Sequence, residues 1–273
     1  MNETQFSETR WKGLFRIVGI LTIVLGIAWI AVTRLTSTLH ASGQPNTALG
    51  YLRVFSQNQA LAASAWILWI IADVLLIPVT ISLYLVLRHV SKSLAVAGAI
   101  FALAFCIYDP LVTELQSLRL VSFSQAYAVA TTEAVKVSIV ANATIIVNAL
   151  PLMTFLSFFI GSVGTFLFSI AMTKSAFGKA LGAFGIITNM TAIIGSLYPL
   201  LSNPPYIIAL FFIISVPLVA LWFISIGVIM LQKRNQFQAI AVNPRSGLEI
   251  SKLFFTGKLG LESPIDSGLT TQM

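Results

Sequence analysis

The chain has 273 residues, of which 57% are hydrophobic and only 9% are charged. Soluble domains carry charge on roughly 25% of their residues, so this composition excludes an ordinary soluble protein and indicates a membrane protein. The net charge of +7 does not indicate nucleic-acid binding, because the basic residues stand in short clusters between apolar runs. These runs are continuous rather than alternating, which predicts an all-α transmembrane bundle of about six helices and no barrel.

The first predicted helix covers about residues 14–33. We expect it to be retained rather than cleaved as a signal, because no small-residue cleavage site follows it. The polar stretch after it contains Gly43, Pro45 and Gly50 and predicts a loop with at most a short amphipathic helix over residues 48–55.

The second and third predicted helices, about 61–87 and 94–113, are joined by the short basic turn RHVSKS and form an antiparallel hairpin. The third is expected to end at Tyr108-Asp109-Pro110. The mixed, polar residues 114–136 are then expected to form a second outer loop.

No charged residue lies between Lys136 and Lys174. Pro151 divides this stretch, and proline is well placed in the first turn of a helix. We therefore predict a short, partly buried or interfacial helix over 137–150 and a fourth spanning helix over 151–173. Seven crossings are the alternative.

The last two predicted helices cover about 179–201 and 206–231, with Pro217 expected to kink the second of them. The bundle is expected to occupy residues 1–234, and the polar residues 235–273 to form a flexible cytoplasmic tail.

Basic residues indicate the orientation of this bundle. One side holds Arg10, Lys12, Arg16, Arg88, Lys92, Lys174, Lys179, Lys233 and Arg234, whereas the other holds Arg34, Arg53, Arg119 and Lys136. Because cytoplasmic loops are enriched in Lys and Arg, we expect a plasma-membrane protein with both termini in the cytoplasm.

Asp73 is an acid deep inside the second apolar run, where a carboxylate is costly unless it is paired, protonated or facing water. Helical spacing places Trp66, Trp69 and Thr80 on its face, and the hairpin geometry sets it level with Tyr108 and Asp109. Arg34 is the nearest cation by depth.

Two interpretations of this group stay open. The functional one is a ligand, proton or cation site, since two neighbouring carboxylates do not both ionise cheaply. The structural one is that Asp73 pairs with Arg34, or bonds Tyr108 or Thr80, and thereby fixes helix packing.

Small residues line one face of several predicted helices: Ala95, Gly98 and Ala102; Thr154, Ser157, Gly161 and Thr165; Gly178, Gly182, Gly185, Asn189 and Ser196. Such faces let helix backbones approach closely in lipid. We expect them to pack inside the bundle, with a homo-oligomer or a protein partner as the alternative, and we expect buried Asn189 to find a partner.

The chain carries no pattern for a catalytic, metal or cofactor site. His40 and His89 are expected on opposite sides of the membrane, so they cannot ligate one haem or metal. The single cysteine, Cys106, can form no internal disulfide. No HExxH, GxSxG or Walker A motif is present.

Three stretches, RWKGLFRIVGILTIVLGI, ADVLLIPVTISLYLVLRHVSKSLA and FLFSIAMTKSAFGKALGAFGIITNMTAIIGSLYPLL, carry a resemblance. In that order they resemble the prokaryotic membrane family catalogued as domain of unknown function 4386, over about residues 10–232. The turn entering the fifth helix usually carries proline and arginine in that family, whereas here Ser175 to Gly182 has no proline. The resemblance implies a compact bundle of about six helices and brings no activity with it.

Three functions are compatible with these patterns. The first is a non-enzymatic binding, accessory or assembly component, the second a small-solute or proton-coupled carrier that uses Asp73 and Asp109, and the third a lipid-modifying membrane enzyme. Coupled carriers place several ionisable groups along their path. The few charges expected inside this bundle therefore favour the first hypothesis.

Overall fold

A computed structural model describes residues 3–41, 47–201 and 206–242, and it contains only helices and short connections there. The α-helices are α1 (Glu3–Ala41), α2 (Ala48–Gln57), α3 (Gln59–Leu87), α4 (Lys92–Tyr108), α5 (Leu115–Val129), α6 (Glu133–Met172), α7 (Lys179–Gly195), α8 (Tyr206–Gln232) and α9 (Arg234–Val242). A π-helix, Asp109–Glu114, joins α4 to α5, and a 3₁₀ turn, Tyr198–Leu200, follows α7. The predicted all-α class is confirmed.

Six helical segments are long and apolar enough to cross a membrane: Gly13–Leu39, Gln59–Leu87, Lys92–Val129, Glu133–Met172, Lys179–Leu200 and Ile213–Gln232. Their outward side chains are largely aliphatic; Ile17 and Ile100, for example, are 58% and 61% exposed. Lipid tails solvate such side chains well, so this surface fits a bilayer and the prediction of about six spans is confirmed.

The first loop is shorter than predicted, because α1 continues to Ala41. Thr33, Thr36, Ser37 and Thr38 lie in this extension, and each hydroxyl donates to a carbonyl one turn back, which satisfies it within the helix. The predicted short amphipathic helix is present as α2, which begins at a Thr47 cap whose hydroxyl accepts a hydrogen bond from Gly50 N–H.

The predicted end of the third helix at Tyr108-Asp109-Pro110 is wrong, as is the predicted outer loop over 114–136. Pro110 lacks an N–H and would break an α-helix at this point. The chain instead widens into the π-helix, where Leu115 N–H donates to the Pro110 carbonyl five residues back, and then continues as α5.

The predicted short helix over 137–150 and the predicted helix start at Pro151 are also wrong. Both stretches belong to the uninterrupted α6 of 40 residues, with Pro151 in its interior. Proline is tolerated inside membrane helices because neighbouring groups satisfy the backbone it frees, and α3 and α8 likewise contain Pro78 and Pro217.

The ends of the bundle differ partly from the prediction. The predicted helices 61–87 and 206–231 match α3 and α8, whereas α7 ends at Gly195, earlier than predicted. The predicted flexible tail is wrong for its first residues, which form α9, and its remainder from 243 lies outside the described residues. Helix α9 packs because Phe237 is fully buried against the rings of Phe15 and Phe177.

Buried apolar side chains form two separate cores. The large core draws on α1, α3, α4 and α6 to α9, and the small core on α1, α2, α3, α5 and α6. Along α3 the boundary falls between Ala65 and Ala72, and along the next span it falls between Cys106 and Leu120. A polar layer therefore lies between the two cores.

Glycines allow the spans of the large core to approach closely. A Cβ on Gly164 would lie 2.6 Å from the Ala102 backbone nitrogen, and one on Gly227 would lie 2.6 Å from the Gly19 carbonyl oxygen. The predicted faces that contain Gly98, Gly161 and Gly182 pack within the bundle, where an added Cβ would meet Phe168, Phe105 and Thr173 respectively.

Candidate functional site

Three acidic side chains are buried in the polar layer between the two cores. Asp73 is the central residue of α3, and Asp109 and Glu114 begin and end the π-helix. Their exposed fractions are 0%, 5% and 3%. We refer to these three residues as the acidic cluster.

Asp109 is the best-bonded member of the acidic cluster. Its Oδ1 accepts a short hydrogen bond from the Ser157 hydroxyl, which α6 presents from the opposite side. The Thr113 hydroxyl and the Asp73 carboxyl lie beside it but make no well-aligned hydrogen bond with it. Three helical segments thus converge on one carboxyl.

Asp73 is the least satisfied member. Neither of its carboxylate oxygens has a hydrogen-bond partner among the described residues. The expected pairing with Arg34 is therefore not formed, and Arg34 is exposed on α1. The expected bonds from Tyr108 and Thr80 are not formed either; the Thr80 hydroxyl is 1% exposed and itself lacks a partner.

Glu114 was missed by the sequence interpretation, which assigned it to an outer loop. The π-helix explains its position, because backbone bonds from i to i+5 bring residues five apart to the same side of the helix. Asp109 and Glu114 have this spacing and influence each other electrostatically. The signal in the sequence is a proline directly after the first acid of a segment bounded by two acids, DPLVTE.

The two tryptophans predicted for the site lie on α3 but differ in surroundings. Trp69, one turn before Asp73, is half-buried, contacts both cores and packs against Trp29 with ring centroids 6.3 Å apart. Trp66 packs against the small core only. The indole N–H groups of Trp29 and Trp66 are buried and have no hydrogen-bond partner in the part of the chain that the structure describes.

Tyr108 is half-buried at the end of α4, immediately before Asp109. Its hydroxyl does not reach Asp73, whose oxygens receive no hydrogen bond. The structure thus brings together Asp73, Asp109, Thr113 and Ser157 and leaves Arg34 apart from them.

The acidic cluster has no basic partner among residues 13–39, 47–201 and 207–237. Lys136 pairs instead with Glu133, on the surface of α6. No group of three His, Cys, Asp or Glu side chains in the described part of the chain has the geometry to hold a metal ion. Since unpaired buried charges are costly, the cluster requires protons or a small cation to neutralise it.

The buried amide of Asn189 is well satisfied, in contrast to Asp73 of the acidic cluster. Asn189 is fully buried between α6 and α7, as expected, and finds partners on both helices. Its Oδ1 accepts from Thr165 at 2.6 Å, and its Nδ2 donates to the Gly185 carbonyl at 2.8 Å and to Ser169 at 3.3 Å. This network fixes helix packing and leaves little capacity for a ligand.

Two titratable groups outside the spans have shifted pKa values. Burial lowers the pKa of His89, in the turn between α3 and α4, and the positive charge of Arg88 lowers it further. Burial raises the pKa of Tyr51, on α2. Neither group belongs to the acidic cluster.

Comparison with known proteins adds no relative: the chain matches no protein-family model, no curated protein and no solved structure. The resemblance to the family of domain of unknown function 4386 therefore stays a prediction, and the acidic cluster is the feature of the molecule that indicates a function.

Proposed function

We propose that this protein is a proton-coupled carrier of a small solute, in which the acidic cluster exchanges protons during transport. The observation that carries the proposal is the burial of Asp73, Asp109 and Glu114 together, with no basic partner in the described residues. A buried acid whose role is packing alone would be stabilised by a hydrogen-bond or ionic partner, as the buried amide of Asn189 is stabilised by its hydrogen bonds. Asp73 lies at the centre of α3 and has none.

The π-helix supports the same proposal. Single π turns inside α-helices are rare and occur frequently at functional sites, because they trade regular backbone bonding for a particular side-chain arrangement. Here the arrangement is two acids on one side of the helix. Few ionisable groups inside the bundle would favour an accessory role over a carrier. The buried side chain of Glu114 adds a third such group and so weakens that preference.

The carrier is proposed to reside in the plasma membrane with both termini in the cytoplasm. Support comes from the basic residues Arg88, Lys92, Lys174, Lys179 and Lys233, which stand at or beside the ends of spanning helices. The positive-inside rule assigns that side to the cytoplasm.

Transport of protons in reconstituted vesicles tests the proposal. Proteoliposomes containing a pH-sensitive dye are given a panel of solutes: guanidinium, sodium, a neutral sugar and a carboxylate anion. At least one solute should drive proton movement, and Asp73→Asn and Asp109→Asn should abolish it while the purified protein keeps its thermal stability. Glu133→Gln is the matched control, because Glu133 is an exposed acid on α6. Absence of proton movement with every solute, or a large loss of stability in both Asn variants, would contradict the proposal.

An accessory or assembly role is the second candidate. The observation that favours it is the apolar exposure of the first half of α6, where Val137 and Ile145 are 66% and 71% exposed. Such a surface suits a helix of another membrane protein as well as lipid. Gentle purification should then yield a stoichiometric partner, and a monomer would count against this role.

A further inference from the structure

We propose that the ligand of the acidic cluster is a small organic cation that carries N–H donors, and that it binds in exchange for a proton. This inference rests on the proposed function and names the class of its solute. It follows from the lack of hydrogen-bond donors to the buried oxygen atoms of the site among the described residues.

The acidic cluster is short of hydrogen-bond donors. Both Asp73 carboxylate oxygens and Glu114 Oε2 are buried without a partner among the described residues, and all three atoms are acceptors when the carboxyl groups are ionised. No Lys or Arg donor in the described residues bonds to them. A ligand that carries both N–H groups and positive charge therefore complements the ionised acidic cluster.

Thr113 is an independent sign of a ligand. Its side chain is 7% exposed, and its hydroxyl lies beside Asp109 without a hydrogen-bond partner. A buried hydroxyl without a partner is costly, and it can donate to a carboxylate while accepting from a ligand N–H.

Aromatic side chains border the site. Trp69 lies one turn from Asp73 and packs against Trp29. The face of an indole ring attracts cations, and it attracts organic ammonium and guanidinium groups well because they are less strongly hydrated than sodium. Ionised carboxyl groups would repel an anion, and no three His, Cys, Asp or Glu side chains among the described residues converge to hold a metal ion.

The titratable groups facing Asp73 are few. The π-helix contributes Asp109 and Glu114, and α4 contributes the Cys106 thiol. Helix α1 has no titratable residue between Arg16 and Arg34, and α6 has none between Lys136 and Lys174. Helix α5, which also packs against α3, carries Arg119, whose side chain is exposed. Charge neutrality in this layer then requires that each monovalent cation entering the cluster displaces one proton to solvent.

Guanidinium is a suitable probe, because it stays charged and presents N–H donors at any neutral pH. Tetramethylammonium has the same charge and no N–H group, which makes it the matched control ligand. In weakly buffered detergent solution, guanidinium should bind and release protons, and its apparent affinity should fall about tenfold per pH unit of acidification, as one-for-one exchange requires.

Variants locate this binding. Asp73→Asn and Asp109→Asn should abolish both guanidinium binding and proton release, and Thr113→Val should weaken binding several-fold. Glu133→Gln should behave as the wild type. Size-exclusion profiles of all variants identify any that fail to fold, and Asp73→Glu should restore part of the proton release.

The outcomes separate the two proposals. An equal response to tetramethylammonium or to sodium would overturn the requirement for N–H donors. Proton movement in proteoliposomes with the sugar or the carboxylate anion, and none with guanidinium, would overturn the ligand class and leave the carrier intact. Guanidinium binding with proton release in detergent, but no proton movement in vesicles, would support the ligand class and overturn the carrier.

Discussion

The Ser157 hydroxyl of α6 donates a hydrogen bond to Asp109 Oδ1 of the π-helix, and both side chains are buried. We expect Ser157→Ala to lower the free energy of unfolding by about 1 to 2 kcal/mol, because it leaves a buried carboxyl without its one well-aligned donor. Thermal unfolding of the purified protein measures this change. Thr144→Ala is the control: its hydroxyl is exposed on the same helix and bonds only to the Val140 carbonyl, so its effect should be negligible.

Gly164 allows α4 and α6 to approach closely. We expect Gly164→Ala to destabilise the protein by about 1 to 3 kcal/mol, because the added methyl group would lie 2.6 Å from the Ala102 backbone nitrogen and would push the helices apart. Gly13→Ala is the matched control, since nothing lies within 4 Å of its added Cβ. Higher helix propensity should make that variant neutral or slightly more stable. Equal thermal stabilities for the two variants would contradict the packing argument.

Asn189 joins α6 to α7. We expect Asn189→Ala to cost about 1 to 3 kcal/mol, because it removes the hydrogen bonds to Thr165, Ser169 and the Gly185 carbonyl in a fully buried site. Proton movement in vesicles should survive to the extent that the protein folds. Asn142→Ala is the control, because Asn142 is exposed and bonds only to the Ser138 carbonyl on its own helix. Loss of proton movement in folded Asn189→Ala would place this network in the transport path and contradict its structural role.

His89 makes stability depend on pH. Its pKa is lowered in the folded protein from the ordinary value of 6.5, so the unfolded chain takes up this proton first as the pH falls through 6.5. The contribution of neutral His89 to stability is therefore fully present above pH 6.5 and decreases as the pH falls below it. Below the lower pKa of the folded state the decrease stops, because both states then carry the proton. We expect the thermal stability of His89→Gln, relative to that of the wild type, to increase as the pH is lowered from about 7.5 to about 5.5. A difference between the two proteins that does not change with pH would contradict this linkage.

The sequence predicted the class of fold and the position of Asp73, because both depend on long-range composition and on a single acid in an apolar run. The predicted helix boundaries between residues 109 and 151 are wrong. Pro110 and Pro151 were interpreted as helix boundaries, as they would be in water, whereas both lie within helical segments of this bundle. Local propensity did not indicate this continuation, because the packing of α5 and α6 around the small core supplies the stabilisation.

The same error removed Glu114 from the predicted site. Counting along the hairpin places Asp73, Tyr108 and Asp109 near one depth, and helical spacing places Trp66, Trp69 and Thr80 on the face of Asp73. That counting assumed an α-helical rise, and it could not anticipate a π-helix that brings in a third acid. It also favoured Arg34 as a partner by depth alone, although Arg34 is exposed on α1.

The hydrogen bond from Leu115 to Pro110 has a geometric consequence for the whole span. A turn bonded to the fifth residue back holds about one residue more than an α-turn, which rotates everything after it by about 100° around the helix axis. Leu120 and Val121 of α5 therefore point in a different direction from Ala95 and Ala102 of α4, and a single membrane crossing can serve two cores. Deletion of one residue from the π-helix would restore a continuous α-helical register from α4 to α5. Asp109 and Glu114 would then separate, and one of the two cores would lose the side chains that this span contributes to it.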